Sequence, residues 1–409
     1  MYLGLMEVAL KLGVSQKLVR RLVAAGLLEH EKNGSVYRVK EQDVIACQQN
    51  KVLHGRSPNP PERVENRPKE DKVNWVDVQD SWDNAAKSTL TFVDLFSGAG
   101  GITKGFELAG LQGVCGLDWF AEAGKTYRRN FSHPFVEGDI KLADKKQEFY
   151  ETVYKTLGNL TLNILAGGFP CQGFSLAGNR IVDDPRNSLY KELLEIVITL
   201  NPEFVVLENV VGLRSMLKGR VEQMIIGDFE RAGYKLNVTV LRAADYGVPQ
   251  KRDRVIFIGN RKGLKNYHPK PFIAPENYLT TGQAIADLMF IEEDHSINHV
   301  PTNHRPDIKQ RIMALPEGKS LYKGYSDAWK KCPWNEPSCT IKENHGGVNI
   351  HPKLPRVLTA REMARLQSFP DDFIFEGPKN KQLVQLGNAV PPLLAKAIGL
   401  AVRKAKGEI

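Results

Sequence analysis

Residues 167–172 read Gly-Gly-Phe-Pro-Cys-Gln, which sets the thiol of Cys171 on a glycine–proline turn. A cysteine kept for packing usually sits inside a strand or helix as a small hydrophobe. Cys171 instead follows an apolar run, Leu162–Ala166, that reads as a buried strand. It is therefore expected just past the carboxyl end of a strand, where open α/β sheets hold ligands and chemistry. A second apolar run, Glu203–Leu207, ends in Glu208-Asn209-Val210, so a carboxylate is expected at a neighbouring strand end. Arg252 and Arg254 alternate across the start of a further strand, Val255–Gly259.

A second set of residues points to a nucleoside-like ligand. The strand Leu90–Leu95 runs into Phe96-Ser97-Gly98-Ala99-Gly100-Gly101, and a helix begins near Ile102. Glycines at a strand-to-helix turn let the backbone approach a ligand closely. Asp118 lies twenty residues after Gly98, at the end of the strand Gly113–Leu117, where an acid can take ribose hydroxyls. Trp119 beside it offers a face to a base, and Asp139-Ile140 ends the next strand. The turn lacks the G-x-G-x-x-G spacing of a dinucleotide site, which argues against NAD.

These residues need a scaffold, and composition supplies its outline. The chain has 409 residues, 42% hydrophobic and 25% charged, within the range of globular proteins. No apolar run approaches the ~20 residues of a membrane span, and no leader peptide is read at the N-terminus. Five widely spaced cysteines fit free thiols in a reducing, cytoplasmic setting. The net charge of +9 favours a polyanionic partner. Residues 1–50 hold seven Lys/Arg against five Asp/Glu, and 51–87 hold seven of each, so most of the excess lies in 88–409. Cys332 and Cys339, with His345 and His351 nearby, do not have the spacing of metal ligands, and no metal is expected. Cys47 and Cys115 read as core residues.

Residues 1–50 are read as two helices, Leu5–Leu12 and 16–25, joined at Gly13-Val14-Ser15. A hairpin, Leu28–Glu31 with Val36–Val39 turned at Asn33-Gly34, and a third helix, 41–49, follow. This region resembles the excisionase and MerR-type winged helix-turn-helix. That resemblance implies that Gln16, Lys17, Arg20 and Arg21 face the major groove of DNA. A bare protein-interaction module is the alternative. Residues 51–88 are rich in Pro and charge and read as a linker. From Thr89 on, short apolar strands alternate with amphipathic helices, the pattern of an α/β domain.

In order along the chain stand DLFSGAGG (94–101), GFPCQ (168–172), ENV (208–210), YGVPQKRDRVIFIG (246–259), REMARLQSFPDDF (361–373) and LGNAVPP (386–392). This series is similar to that of the C5-cytosine DNA methyltransferase family over roughly 89–409, apart from a variable stretch near 261–336. The resemblance implies a Rossmann-like, S-adenosylmethionine-dependent domain over 89–260 with helices on both faces of a mixed sheet. It further implies a smaller target-recognition domain over 261–375 and a C-terminal return over 376–409. Cys171 would be the nucleophile and Glu208 its carboxyl partner, with Arg252 and Arg254 near the thiol and the cytosine. Phe96, Ser97, Gly98, Gly100, Gly101, Asp118, Trp119, Asp139, Ile140, Pro170, Asn388 and Val390 would line the cofactor site. Asn388 is expected to begin the last helix, and Leu358–Phe373 to form a structural helix ending near Pro370. The loop after Cys171, with Gln172, Ser175 and Arg180, would close over a flipped-out base in double-stranded DNA. In the variable stretch Lys265, Lys270, His304, Arg305, Lys309, Arg311, Lys319, Lys323, Lys330 and Lys331 are candidates for phosphate and base contacts. A monomer of a restriction-modification system is expected. An RNA cytosine methyltransferase and a DNA-binding regulator are the competing readings.

Overall fold

The computed structural model describes residues 2–4, 8, 30–33, 36–40, 73–170, 188–322, 329–342 and 348–409. The chain divides into two units, 1–61 with 286–292, and 62–285 with 293–409. In the smaller unit β1 (Tyr2–Gly4), β2 (His30–Asn33) and β3 (Val36–Lys40) form an antiparallel sheet with β3 central. The expected hairpin is present, but Asn33 pairs with Val36 and is a strand residue rather than a turn residue. The strand Tyr2–Gly4 is too short for periodicity to announce. The expected helices at 16–25 and 41–49 lie outside the described residues, and with them Gln16, Lys17, Arg20 and Arg21. So does 5–12, except for Val8, which is helical and buried.

The larger unit opens with β4 (Trp75–Val76). β5 (Thr91–Leu95) leads into α1 (Gly101–Leu108), and β6 (Gln112–Asp118) into α2 (Ala121–Asn130). β7 (Phe135–Glu137) precedes α3 (Ala143–Leu157), and β8 (Ile164–Gly167) precedes α4 (Ser188–Leu200). β9 (Phe204–Val210) is followed by α5 (Arg220–Arg231), β10 (Lys235–Arg242) and β11 (Asp253–Asn260). β12 (His268–Pro269), α6 (Thr281–Ile285), α7 (Pro306–Ala314), α8 (Ala360–Leu366), α9 (Lys379–Asn388) and α10 (Pro392–Lys406) complete it.

The main sheet has the order β10-β11-β9-β8-β5-β6-β7. β5 to β9 run parallel, β11 runs antiparallel to them, and β10, paired antiparallel to β11, runs in their direction again. Strand alternation splits the side chains between two cores. Val93 and Leu95 of β5 pack with Phe149 of α3, Ile196 of α4 and Phe229 of α5. Phe92 joins Phe106 of α1 and Leu394 and Ile398 of α10 on the other face. The sheet order reverses between β5 and β8. The crevice at such a switch point is where open α/β sheets bind ligands.

Three expectations shift. Residues 73–88, read as linker, are folded against the body: β4 pairs with β12, Val78 is buried, and Lys396 Nζ lies 4.5 Å over the Trp82 ring. Their few apolar residues are too widely spaced to give a period. The helix expected over Leu358–Phe373 spans only Ala360–Leu366, started by a capping box between Thr359 and Glu362. Asn388 ends α9 rather than beginning the last helix, because Pro391 and Pro392 restart the chain one turn later. The stretch Lys379–Lys406 is long and apolar enough to cross a membrane by composition alone, but most of it is buried in the core.

α10 is held against α1 by backbone approach. A Cβ on Gly101 would stand 2.2 Å from Val390 O, and one on Gly105 would stand 2.3 Å from Pro392 O. Two glycines four apart make one face of α1 flat enough for the C-terminal return. We expect Gly105→Ala to destabilise the protein by about 1–3 kcal/mol, the usual cost of overpacking, read as a lower urea midpoint.

Candidate active site

The turn after β5 is shaped by left-handed backbone at Phe96, Gly98 and Gly100, with φ of 55°, 53° and 92°. Asp118 at the end of β6 braces it. Gly98 N–H donates to Asp118 Oδ2 at 2.8 Å, and Phe120 N–H donates to Oδ1 at the same distance. Ser97 N–H reaches back to Leu117 O at 3.1 Å. Burial raises the Asp118 pKa, while these backbone donors pull it down. Each carboxylate oxygen keeps a second lone pair for a ligand hydroxyl. Nothing lies within 4 Å of a Cβ built on Gly98, so the turn faces open space. Trp119 is 70% exposed at the rim, whereas Ile140 and Val390 are buried. Asp139 Oδ1 accepts from Lys141 N–H at 3.0 Å.

Beneath the turn lies a buried polar chain that sequence reasoning missed. Asp94, inside β5, is fully buried, and Thr103 Oγ donates to its Oδ2 at 2.7 Å. Tyr127 OH lies 3.1 Å from Thr103 Oγ and 2.7 Å from His133 Nε2. When Asp94 is ionised Thr103 donates to it, so Tyr127 donates to Thr103 and His133 presents Nε2–H to Tyr127. Asp94 Oδ1 is buried with no partner. Burial pushes the Asp94 pKa up from 3.8 to about 7. An acid within an apolar strand motif was the available signal.

The second half of the site gathers at the ends of β8 and β9. Glu208 lies opposite Ile256 in the antiparallel pairing of β9 with β11, and Arg254 lies opposite Val210. Arg254 Nε meets Glu208 Oε1 at 2.6 Å, both side chains nearly buried. A Cβ on Gly168 would lie 3.2 Å from Glu208 Oε2, so the carboxylate sits against the turn that precedes Cys171. Asn209 Nδ2 donates to Phe169 O at 2.8 Å and holds that turn in place. Pro170 is exposed at its tip. Cys171, Gln172, Ser175 and Arg180 lie outside the described residues.

Arg252 is almost fully buried and turns away from the Glu208 pair. Nη1 donates to Ile341 O at 3.1 Å, and Nη2 donates to Gly387 O at 3.3 Å and Ala389 O at 2.9 Å. Burial, then the like charge of Arg254, pushes its pKa well down. Gln367 Nε2 shares the Ala389 carbonyl and also reaches Leu386 O at 2.7 Å. Gln250 Oε1 accepts from Ile341 N–H at 2.9 Å. Exposed Asn388 lies within the turn they grip. Gln250 and Gln367 stand inside recognisable motifs, but their types alone do not announce a structural task. Lys331, a candidate for DNA contact, instead caps α7: its Nζ donates to Ile312 O at 3.1 Å.

The same architecture occurs in solved methyltransferases. An Escherichia coli protein described as a prophage-encoded DNA modification methyltransferase superposes with a TM-score of 0.64 at 26% identity, covering 78% of this chain and all of that one. Schizosaccharomyces pombe Dnmt2 shares the fold alone, with a TM-score of 0.53, 18% identity and coverage of 78% and 98%. The class is thus an α/β methyltransferase with a mostly parallel central sheet. The C-5 cytosine-specific DNA methylase profile matches residues 90–404, and the chain belongs to that family. It is a DNA (cytosine-5-)-methyltransferase. It is 38% identical over 333 residues to the Type II methyltransferase M1.HphI of Haemophilus parahaemolyticus, covering 77% of this chain and 87% of that protein. It is 32% identical over 428 residues to M.Eco47II of Escherichia coli, covering 98% and 94%.

Two stability outcomes follow from these contacts. Between pH 4 and 7 the unfolded chain has lost the Asp94 proton while the folded chain keeps it, so this group makes stability fall as pH rises through that window. Asp94→Asn should remove up to about 4 kcal/mol of penalty at pH 8 and little near pH 4, seen as a melting-temperature gain over wild type that closes on acidification. Arg252→Lys should cost about 2 kcal/mol or more in urea unfolding, because an ammonium cannot fork to three carbonyls.

Proposed function

We propose that the enzyme methylates C5 of a cytosine swung out of double-stranded DNA, within one short sequence. The observation that carries this reading is the Glu208–Arg254 pair, set against the turn before Cys171. C5 of cytosine is a poor nucleophile while the ring is aromatic. Addition of the Cys171 thiolate to C6 breaks the conjugation and makes C5 electron-rich. Electron density then moves to N3, where Glu208 stabilises or protonates it. Arg254 fixes that carboxylate and, as a cation beside the turn, favours the thiolate. After C5 has taken the methyl group, a base removes its proton and Cys171 leaves, giving 5-methylcytosine.

The cradle fits S-adenosylmethionine, which supplies an electrophilic sulfonium methyl group when bound. The open face at Gly98 leaves room for a ligand against the backbone, and exposed Trp119 offers a ring for stacking. Asp118 suits the ribose hydroxyls. Phe96, Ser97, Gly100, Gly101, Asp139, Ile140, Pro170, Asn388 and Val390 complete the proposed wall. The target base is unreachable inside a duplex, so it must leave the stack, and Gln172, Ser175 and Arg180 are proposed to contact the opened DNA.

The relatives' designation as Type II methyltransferases supports a role in restriction-modification. We assign the N-terminal unit an auxiliary DNA-binding part, autoregulatory or affinity-raising, with Gln16, Lys17, Arg20 and Arg21 toward the groove. A monomer suffices for methylating one strand at a time.

Bisulfite sequencing of DNA from cells expressing the protein tests the central reading. Methylation is expected at one short sequence, absent with Cys171→Ala and reduced at least ~10²-fold with Glu208→Gln. Unmethylated DNA with active protein on RNA, or with neither substrate, would move the assignment to the competing readings. For the N-terminal unit, deletion of residues 1–72 spares the packed segment from 73 onward. Unchanged DNA affinity and unchanged repression of its own promoter would remove the auxiliary role.

A further inference from the structure

Cys332 and Cys339 lie in the recognition region with their Sγ atoms 3.5 Å apart. Neither takes part in the methyl-transfer chemistry. Cys332 is fully buried, and its N–H is held by Ile350 O at 3.0 Å. Cys339 is partly exposed, and Asn349 Nδ2 donates to its sulfur at 3.1 Å. Among the described residues no group of three His, Cys, Asp or Glu side chains is placed to hold a metal.

We infer that Cys332 and Cys339 form a reversible dithiol–disulfide pair, a modification site at the edge of the recognition region. The geometry separates the two sulfurs by role. Cys332, enclosed and poorly able to carry charge, keeps its proton and so takes the donor's place in the contact with Cys339. That hydrogen bond, the charge of Lys330 and the Asn349 amide together hold the Cys339 thiol below its ordinary range. Cys339 is thus both the more accessible sulfur and the more ionised one, the combination that oxidation selects.

A hydroperoxide suffices as oxidant. The Cys339 thiolate attacks one peroxide oxygen, forming sulfenic acid and releasing hydroxide, which takes up a proton to leave as water. Cys332 sulfur then attacks Cys339 sulfur. The sulfenic oxygen leaves as water with the Cys332 proton and one more proton from its own hydroxyl. Two thiols and one hydrogen peroxide thereby give one disulfide and two waters. Only about 1.5 Å of closure separates the present geometry from a bond near 2.05 Å.

That closure must fall on Cys339, since Cys332 is enclosed and tied to Ile350. Cys339 sits in a stretch stitched to the approach to β11. Ser338 N–H donates to Pro249 O at 3.0 Å, Lys251 N–H donates to Ser338 O at 2.8 Å, and Thr340 Oγ donates to Lys251 O at 2.8 Å. Two residues further, Ile341 O accepts from Arg252. Oxidation would therefore load the seat of Arg252.

The test needs no variant. Trypsin releases Cys332–Lys342, which contains these two cysteines and no other. The full-length protein is treated with stoichiometric hydrogen peroxide, its remaining thiols are alkylated, and the digest is weighed. We expect this peptide to be lighter by two hydrogen atoms and unalkylated, with both thiols restored by dithiothreitol. A peptide alkylated at both sites while Cys171 is oxidised would overturn the inference. So would sulfinic acid at Cys339 with Cys332 still alkylated. In Cys339→Ser, Cys332 should remain a free thiol at the same dose; oxidation of Cys332 there would show that the roles assigned to the two sulfurs are wrong.

Discussion

A guanidinium taken out of water has to be met by oxygen, and Arg252 meets three main-chain carbonyls. Those carbonyls come from two separate parts of the chain: Ile341 in the stretch between α7 and α8, and Gly387 and Ala389 at the junction of α9 and α10. The buried charge therefore fixes where both parts stand relative to β11. Two residues on, inside β11, Arg254 meets Glu208 instead. The two arginines divide the labour: one assembles the walls and the other sets the carboxylate. Breaking the first leaves an unpaired buried charge or empty acceptors, which costs more than any surface contact.

Much of this was legible in the residues. The strand ends carrying Asp118, Glu208 and the glycine turn lie within one to three residues of where apolar runs placed them. Those runs are near-continuous because parallel strands are buried on both faces. β10 was not legible: it is an edge strand, paired among the described residues only with β11 and half-open on one face, so its pattern is diluted. The packed segment 73–88 hid behind its own polarity. The place of Asn388 depends on how two prolines reset a helix. The dual task of Gln367 depends on which carbonyls tertiary contact brings near, and no local pattern encodes that.

The two halves of the site sit on opposite sides of the strand reversal, and they are held by different physics. The cradle at β5 is a backbone object, shaped by positive φ and braced by one carboxylate that takes two N–H groups. The pocket at β9 is a side-chain object, in which a short ion pair presses on a glycine. The polar chain from Asp94 to His133 runs under the cradle and links β5 to α1 and α2. It spends stability to keep polar groups in the floor of the cleft. Functional sites commonly carry such a local cost.

The segment at 73–88 and the end of α10 are bound to one another: Arg403 donates to Ala86 O, and Glu408 accepts from Ser88 and Thr89. The catalytic body is thus a closed loop in space, its two chain ends meeting on one surface away from the cleft. The meeting of these two ends makes a seam in the fold. A circularly rearranged gene, joined across that seam and opened elsewhere, would encode the same enzyme body.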